Sequence, residues 1–207
     1  MKDILKALEI QRWDDHRYYH HSRINQSLHF VSATSFLCSY ALLFFQPVLA
    51  TLIAWLVAMT ARQSGHFFFE PKGYDEPNQA THEHKEAVKV GYNLRRKVLL
   101  YAAFVLAPLP LLADPAYFGL FERADPIHNV AMVWLALGAG GLLFRTVHLF
   151  FLRDVETGLV WALKILTDPF HDLKLYWKAP LALARGELID QTLKSEVEAR
   201  TAEPAFP

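Results

Sequence analysis

The chain has 207 residues; 53% are hydrophobic and 14% aromatic, yet 20% are charged, with 21 Lys and Arg against 21 Asp and Glu. That length suits one compact domain, and the absence of a basic excess argues against a nucleic-acid partner. A single cysteine, Cys38, excludes an internal disulfide and a cysteine-based metal site, and reads as a small buried hydrophobe.

Residues Met1–Arg23 are densely charged and lack the apolar core and cleavage site of a signal peptide. Residues Phe30–Ala61 carry no charged side chain, a run longer than one span of about 20 residues and short of two. Gln46-Pro47 falls near its middle, where proline removes a backbone donor and disfavours helix at the residue before it. The pattern predicts a helical hairpin, His29–Phe45 and Val48–Phe68. A third span follows over Val98–Ala113, kinked at its far end by Pro108 and Pro110. A fourth runs from Ile127 to Leu152, where Gly138, Gly140 and Gly141 allow close helix approach within or between chains. Val155–Leu166 is apolar but broken by Glu156 and Lys164, as in an interfacial amphipathic helix. Residues 186–207 have the composition of a polar, flexible tail.

The expected fold is therefore all-α. It is a multi-pass membrane helical bundle of about four transmembrane helices plus interfacial helices, built from one domain over residues 1–185. Lys and Arg concentrate before Arg23, between Arg62 and Lys97, and after Arg153, whereas the opposite connections hold only Arg123. The positive-inside rule then places both termini and the middle connection in the cytoplasm, with the bundle in a bacterial inner membrane or an endoplasmic reticulum. The oligomeric state stays open.

Of ten histidines, His16, His20, His21, His29, His66, His82, His84 and His148 fall in or beside the expected cytoplasmic layer, His171 lies on the same side, and only His128 sits opposite. Ionisable groups at membrane depth are expensive, so they find a partner or an ion. His16 and His20 are four apart and share a helical face, as do Asn25 and His29, and His66 and Glu70. His20 and His29 are nine apart, half a turn out of phase on one helix, so they meet only if the chain bends near Ser22–Asn25 or the site wraps around the helix entry. His82 and His84, two apart, suit an extended or turning loop.

Imidazoles with carboxylates nearby and no cysteine suit non-haem iron. Glu70 or Asp15 is then a direct ligand, or a partner holding a histidine N–H. Arg145, beside His148 within the last span, is a snorkelling charge or the receiver of a substrate carboxylate. The run Phe67-Phe68-Phe69 faces lipid or core, or lines an acyl channel. The segment Asp168-Pro169-Phe170-His171-Asp172 reads as structural, with capping of the histidine site as the alternative.

Two stretches carry a family resemblance: His20-His21-Ser22-Arg23-Ile24-Asn25-Gln26-Ser27-Leu28-His29 and Gly65-His66-Phe67-Phe68-Phe69-Glu70. Together they resemble the small membrane family that includes the fungal 2-hydroxy fatty acid dioxygenase of phytosphingosine breakdown. That family pairs an early H-x-N-P-x-N-x-x-x-H stretch with a later G-H-x-x-F-E. His20, Asn25 and His29 match the first and His66 and Glu70 the second, while Ser22 and Arg23 stand where the family commonly has Asn and Pro. The resemblance covers about Trp13–Lys97.

It implies an Fe(2+) centre held by His20, His29, His66 and His84, with His16, His21 and His82 as lesser candidates. It also implies catalytic roles for Glu70 and Asn25. Dioxygen and a fatty acid-like amphiphile meet there, and a 2-hydroxy fatty acid is shortened by one carbon. Arg145 and His148 lie outside the resemblance and are candidates for receiving the substrate by their place in the last span. Two other classes compete. His16-x-x-x-His20-His21 resembles one box of the membrane di-iron hydroxylases and desaturases. A non-catalytic haem- or lipid-binding protein is the other, with His66 and His148 as candidate axial ligands.

Overall fold

The structure, a computed structural model, describes residues 2–91, 94–122 and 125–202. Arg123, the lone cation expected in the connections opposite the histidines, lies outside them, as do residues 203–207. The described residues form helices and turns without an extended strand; the isolated bridges Ser22–Ile189 and Asp75–Ala80 are the only β pairings among them.

Helix α1 covers Lys2–Tyr19, with Asp3 in its first turn and His16 and Arg17 in its last, as the helix dipole favours. The chain breaks over residues 20–22, and Ser22 starts α2 (Arg23–Leu42) by accepting from the Ile24 amide at 3.2 Å. This break lies at the bend expected from the His20–His29 spacing. Pro47 opens α3 (Pro47–Phe68), which widens into a π-helix over Ile53–Met59 before its last turns deliver Gly65 and His66. Thr81 caps α4 (His82–Val88). α5 spans Leu94–Leu106 and is followed by a 3₁₀ turn at Leu109–Leu112. Asp125 caps α6 (Pro126–Leu152), Asp154 caps α7 (Val155–Tyr176), and α8 (Ala179–Ala184) and α9 (Gln191–Ala202) complete the chain.

Helix α2 is the centre of the molecule, with α3, α7 and α8 packed around it, while α6 lies against α3 and α7. Its buried residues are mostly polar: Asn25, Gln26, His29, Ser32 and Ser39 beside Ala33. Cys38 is exposed, not buried as expected.

Two helices, α3 and α6, are long and apolar enough to cross a membrane. The other two expected spans do not reach that standard. α5 has 13 residues, about 20 Å at 1.5 Å per residue, against a hydrocarbon core of about 30 Å. α2 is longer, but its first turns carry Arg23, Asn25, Gln26 and His29. Val155–Leu166, expected as a surface amphipathic helix, is instead the first half of a 22-residue helix whose Lys164, Asp168, Asp172 and Tyr176 are all buried. The segment expected to be a flexible tail is folded through residue 202. The Arg23 amide donates to the Leu188 carbonyl at 2.9 Å, the Asp190 amide donates to the His21 carbonyl at 2.9 Å, and Leu193 and Val197 are buried.

Gly65 sets the spacing between α3 and α2. A Cβ there would overlap the Asn25 Oδ1 and stand 3.5 Å from the His29 ring. Gly65→Ala is expected to cost about 1–3 kcal/mol by overpacking. A thermal melt in detergent checks this, and an unchanged midpoint would contradict the close approach.

Candidate metal centre

Three buried histidines from three parts of the chain converge. His20 comes from the break after α1, His29 from the second turn of α2 and His66 from the end of α3. One ring nitrogen of each lies within 4.8 Å of the other two, the only such group of three His, Cys, Asp or Glu among the described residues. The ring centroids are 4.2 Å apart for His20–His29, 5.0 Å for His29–His66 and 5.6 Å for His20–His66.

Each ring is held by its far nitrogen. His20 Nδ1 donates to the Asp15 carbonyl at 2.8 Å, His29 Nδ1 to Asp172 Oδ2 at 3.3 Å, and His66 Nδ1 to Glu70 Oε2 at 3.0 Å. This is the outer arrangement that metal-bound histidines use to fix tautomer and orientation. With Nδ1 carrying the proton, Nε2 offers a lone pair. His20 Nε2 and His29 Nε2 are only 3.1 Å apart, and two lone pairs at that distance repel unless a proton or a cation lies between them. The proton alternative makes one ring an imidazolium. Burial, and then the neighbouring His29, hold His20 well below the ordinary histidine range, which opposes it. A metal fits better: with a metal–nitrogen bond of about 2.1 Å, nitrogens cis on an octahedral ion stand about 3.0 Å apart, and on a tetrahedral ion about 3.4 Å.

A charged shell surrounds the trio. Arg62 Nη1 donates to Asp172 Oδ2 at 2.9 Å and Arg62 Nη2 to Asp168 Oδ2 at 3.4 Å. Lys164 Nζ reaches Asp168 at 2.6 Å and also Asp15. On the other side Lys89 Nζ donates to Glu70 Oε1 at 2.7 Å and rests over the Tyr19 ring. Asp15, Arg62, Asp168, Asp172 and Tyr176 line a small polar cleft that reaches His20. Asp172→Asn or Glu70→Gln, which weaken the hold on a ligand, are each expected to lower metal affinity about 10–100-fold. A competition titration with a chelator measures it, and wild-type affinity in both would contradict their role.

The remaining expected residues fall elsewhere. Glu70 is not in the trio and acts as the partner of His66. Asn25 is fully buried, its Nδ2 donating to the Tyr19 carbonyl at 2.8 Å and its Oδ1 facing Gly65, so it fixes the α1–α2 break against α3. His82 and His84 are exposed on α4 rather than on a loop, because Thr81 accepts from the His84 amide and starts a helix there. The His84 ring meets Tyr18 edge-on. His21 Nε2 donates to the Arg17 carbonyl at 2.6 Å and sits 3.4 Å from Asp75, holding the loop before α4. His16 Nδ1 lies 3.0 Å from the Tyr176 hydroxyl. Arg145 donates to the Val90 carbonyl at 2.8 Å and stands 3.3 Å from His148, whose ring stacks on Phe144. The trio forms without either of them.

Arg62, Lys164 and Tyr176 escaped the sequence reading as site residues, and Asp172 entered it only within a segment whose alternative role was capping the site. A signal was present: Lys164, Asp168, Asp172 and Tyr176 recur every fourth position in an apolar helix, which puts them on one stripe.

Acid should loosen this shell. Burial opposes ionisation of Asp15, but Lys164 overrides it and holds the carboxyl below its ordinary range. Burial lowers His16 from 6.5 to about 4, despite the attraction of Asp190. Both folded values are depressed, so both contributions are present at neutral pH and lost as pH falls, His16 between 6.5 and 4. Melting temperature is expected to drop across that window, and His16→Gln to flatten the drop; a wild-type melt flat from neutral to pH 4 would contradict this.

No protein-family model, curated protein or solved structure matches the chain. Its class is defined by its own features: an all-helical protein with two helices able to cross a membrane and a buried three-histidine centre.

Proposed function

We propose that the chain is a membrane-associated non-haem iron oxygenase that acts on the head of a fatty acid-like amphiphile. The observation that carries this reading is the convergence of three imidazoles, one ring nitrogen of each within 4.8 Å of the others, whose Nδ1 atoms each meet an oxygen. Neutral imidazoles without thiolates suit iron(II), which supplies the binding and activation of dioxygen. A single group of this kind among the described residues favours a mononuclear centre over the di-iron alternative.

Membrane embedding is supported by apolar side chains left exposed along α6 and its neighbours, such as Leu143, Phe144 and Phe151, and by Phe44 and Phe45 at the tip between α2 and α3. We place α2 and α5 beside the two apolar helices as further membrane-embedded elements. An amphiphile in the same bilayer brings its head to the level of the histidines.

His20, His29 and His66 would hold the ion by one nitrogen each, and a 2-hydroxy carboxylate would offer it two oxygens. The reaction proposed is R–CH(OH)–COOH + O₂ → R–COOH + CO₂ + H₂O, in which the bond between the first two carbons breaks and dioxygen takes the electrons released. Asp172, Glu70 and the Asp15 carbonyl keep the three rings in one orientation through it, and α2 and α3 exclude bulk water from their faces.

The test is oxygen uptake by anaerobically iron-loaded protein given a 2-hydroxy fatty acid, with product analysis. The expected result is an acid one carbon shorter and carbon dioxide, with no reaction of the unhydroxylated acid. Iron-loaded protein that leaves 2-hydroxy acids untouched would overturn the substrate class.

A further inference from the structure

Tyr176, the last residue of α7, has no part in the reading above, yet its placement is unusual. It is 3% exposed, and its ring meets two of the three clustered histidines, with centroids 5.6 Å from His20 and 6.0 Å from His29. Its hydroxyl lies 3.0 Å from His16 Nδ1. His16 is itself buried and lines the polar cleft with Asp15 and Asp168. A phenol is hard to oxidise unless its proton leaves with the electron. Here the two have separate exits: the ring lies against His20 and His29, and the hydroxyl lies against the His16 imidazole. A phenylalanine there would fill the same space and leave the His16 nitrogen without its hydroxyl partner.

From this juxtaposition we propose that Tyr176 and His16 form a redox-active phenol–imidazole pair that supplies an electron to the three-histidine centre when dioxygen reacts there without substrate. The inference rests on the iron reading. Dioxygen is the oxidant: its two-electron reduction to hydrogen peroxide, with two protons from water, would take one electron from the ferrous ion, which becomes ferric, and one from Tyr176. The Tyr176 O–H bond breaks, the proton passes to His16 Nδ1, and the electron passes through the centre to dioxygen. A neutral tyrosyl radical and a His16 imidazolium remain. The pair thereby confines an idle oxidation to one buried ring and spares the ligands.

The experiment uses the full chain in detergent, iron-loaded anaerobically, mixed with oxygen without substrate, and frozen for electron paramagnetic resonance. Metal content is measured on the same samples. The expected result is an organic-radical signal that narrows when tyrosine is ring-deuterated. It is lost in Tyr176→Phe at wild-type iron content, weakened in His16→Gln, retained in Tyr19→Phe, and lacking in zinc-loaded protein. A silent iron-loaded wild type, or a signal that persists in Tyr176→Phe, would overturn the pair while leaving the oxygenase reading in place. Should Tyr176→Phe fail to fold, a wild-type signal unchanged by tyrosine deuteration overturns it equally. A chain that takes up no iron at all refutes the oxygenase reading, and the pair falls with it.

Discussion

His29→Ala is expected to abolish metal retention while the helices remain folded. His29 is the hub of the trio. Its Nε2 faces His20 at 3.1 Å, its ring lies 5.0 Å from that of His66, and its Nδ1 is held by Asp172. It is fully buried on the central helix, so no other side chain can rotate into its place without moving α2. Losing only an outer partner costs about 10–100-fold in metal affinity, so losing the ligand itself should cost at least about 100-fold. His66→Ala should act likewise, since it removes a ligand and leaves Glu70 facing Lys89 and Lys97. Metal content by mass spectrometry after gel filtration reads both variants, with circular dichroism as the folding control. Full metal content in a folded His29→Ala protein would show that the trio is not the site.

Arg62→Met carries the largest expected loss of stability. The Arg62 guanidinium lies between two buried carboxylates, Asp168 and Asp172, and joins α3 to α7. Its replacement leaves Asp172 with only His29 and Asp168 with Lys164 and Arg12. Removing one partner from a buried ion network destabilises by about 3–5 kcal/mol, because the charge left behind stays out of water. Asp168→Asn in the same chain should restore part of the loss, as expected of coupled neighbours. A chemical unfolding series in mild detergent measures this, and wild-type stability in Arg62→Met would show the network to be incidental.

The helical character of the chain was legible from its long apolar runs, and the break at Gln46-Pro47 is a helix start that the structure keeps. The caps Thr81, Asp125 and Asp154 emerge only in the structure. The trio was legible in part, because His20, Asn25 and His29 fall either side of a helix break, and His66 follows a glycine that lets α3 approach α2. The number of spans was not. An apolar run reports only that a segment avoids water. It does not say whether lipid or protein covers it, and α2 is covered largely by its neighbours. His84 misled for a local reason: Thr81 makes the segment helical and turns that ring towards Tyr18. The partners on α7 were hidden by distance. Asp172 lies 143 positions from His29, and nothing in either local pattern links them.

Metal content is the direct test of the three-histidine centre. Protein purified anaerobically in detergent, loaded with iron(II) and freed of excess, should retain about one iron per chain without a haem absorption band, as a mononuclear histidine site requires. The same preparation of a His20→Ala, His29→Ala double variant should retain none. Wild-type protein that holds no metal after loading, or holds as much as the double variant, would contradict the claim that three converging histidines form a metal centre.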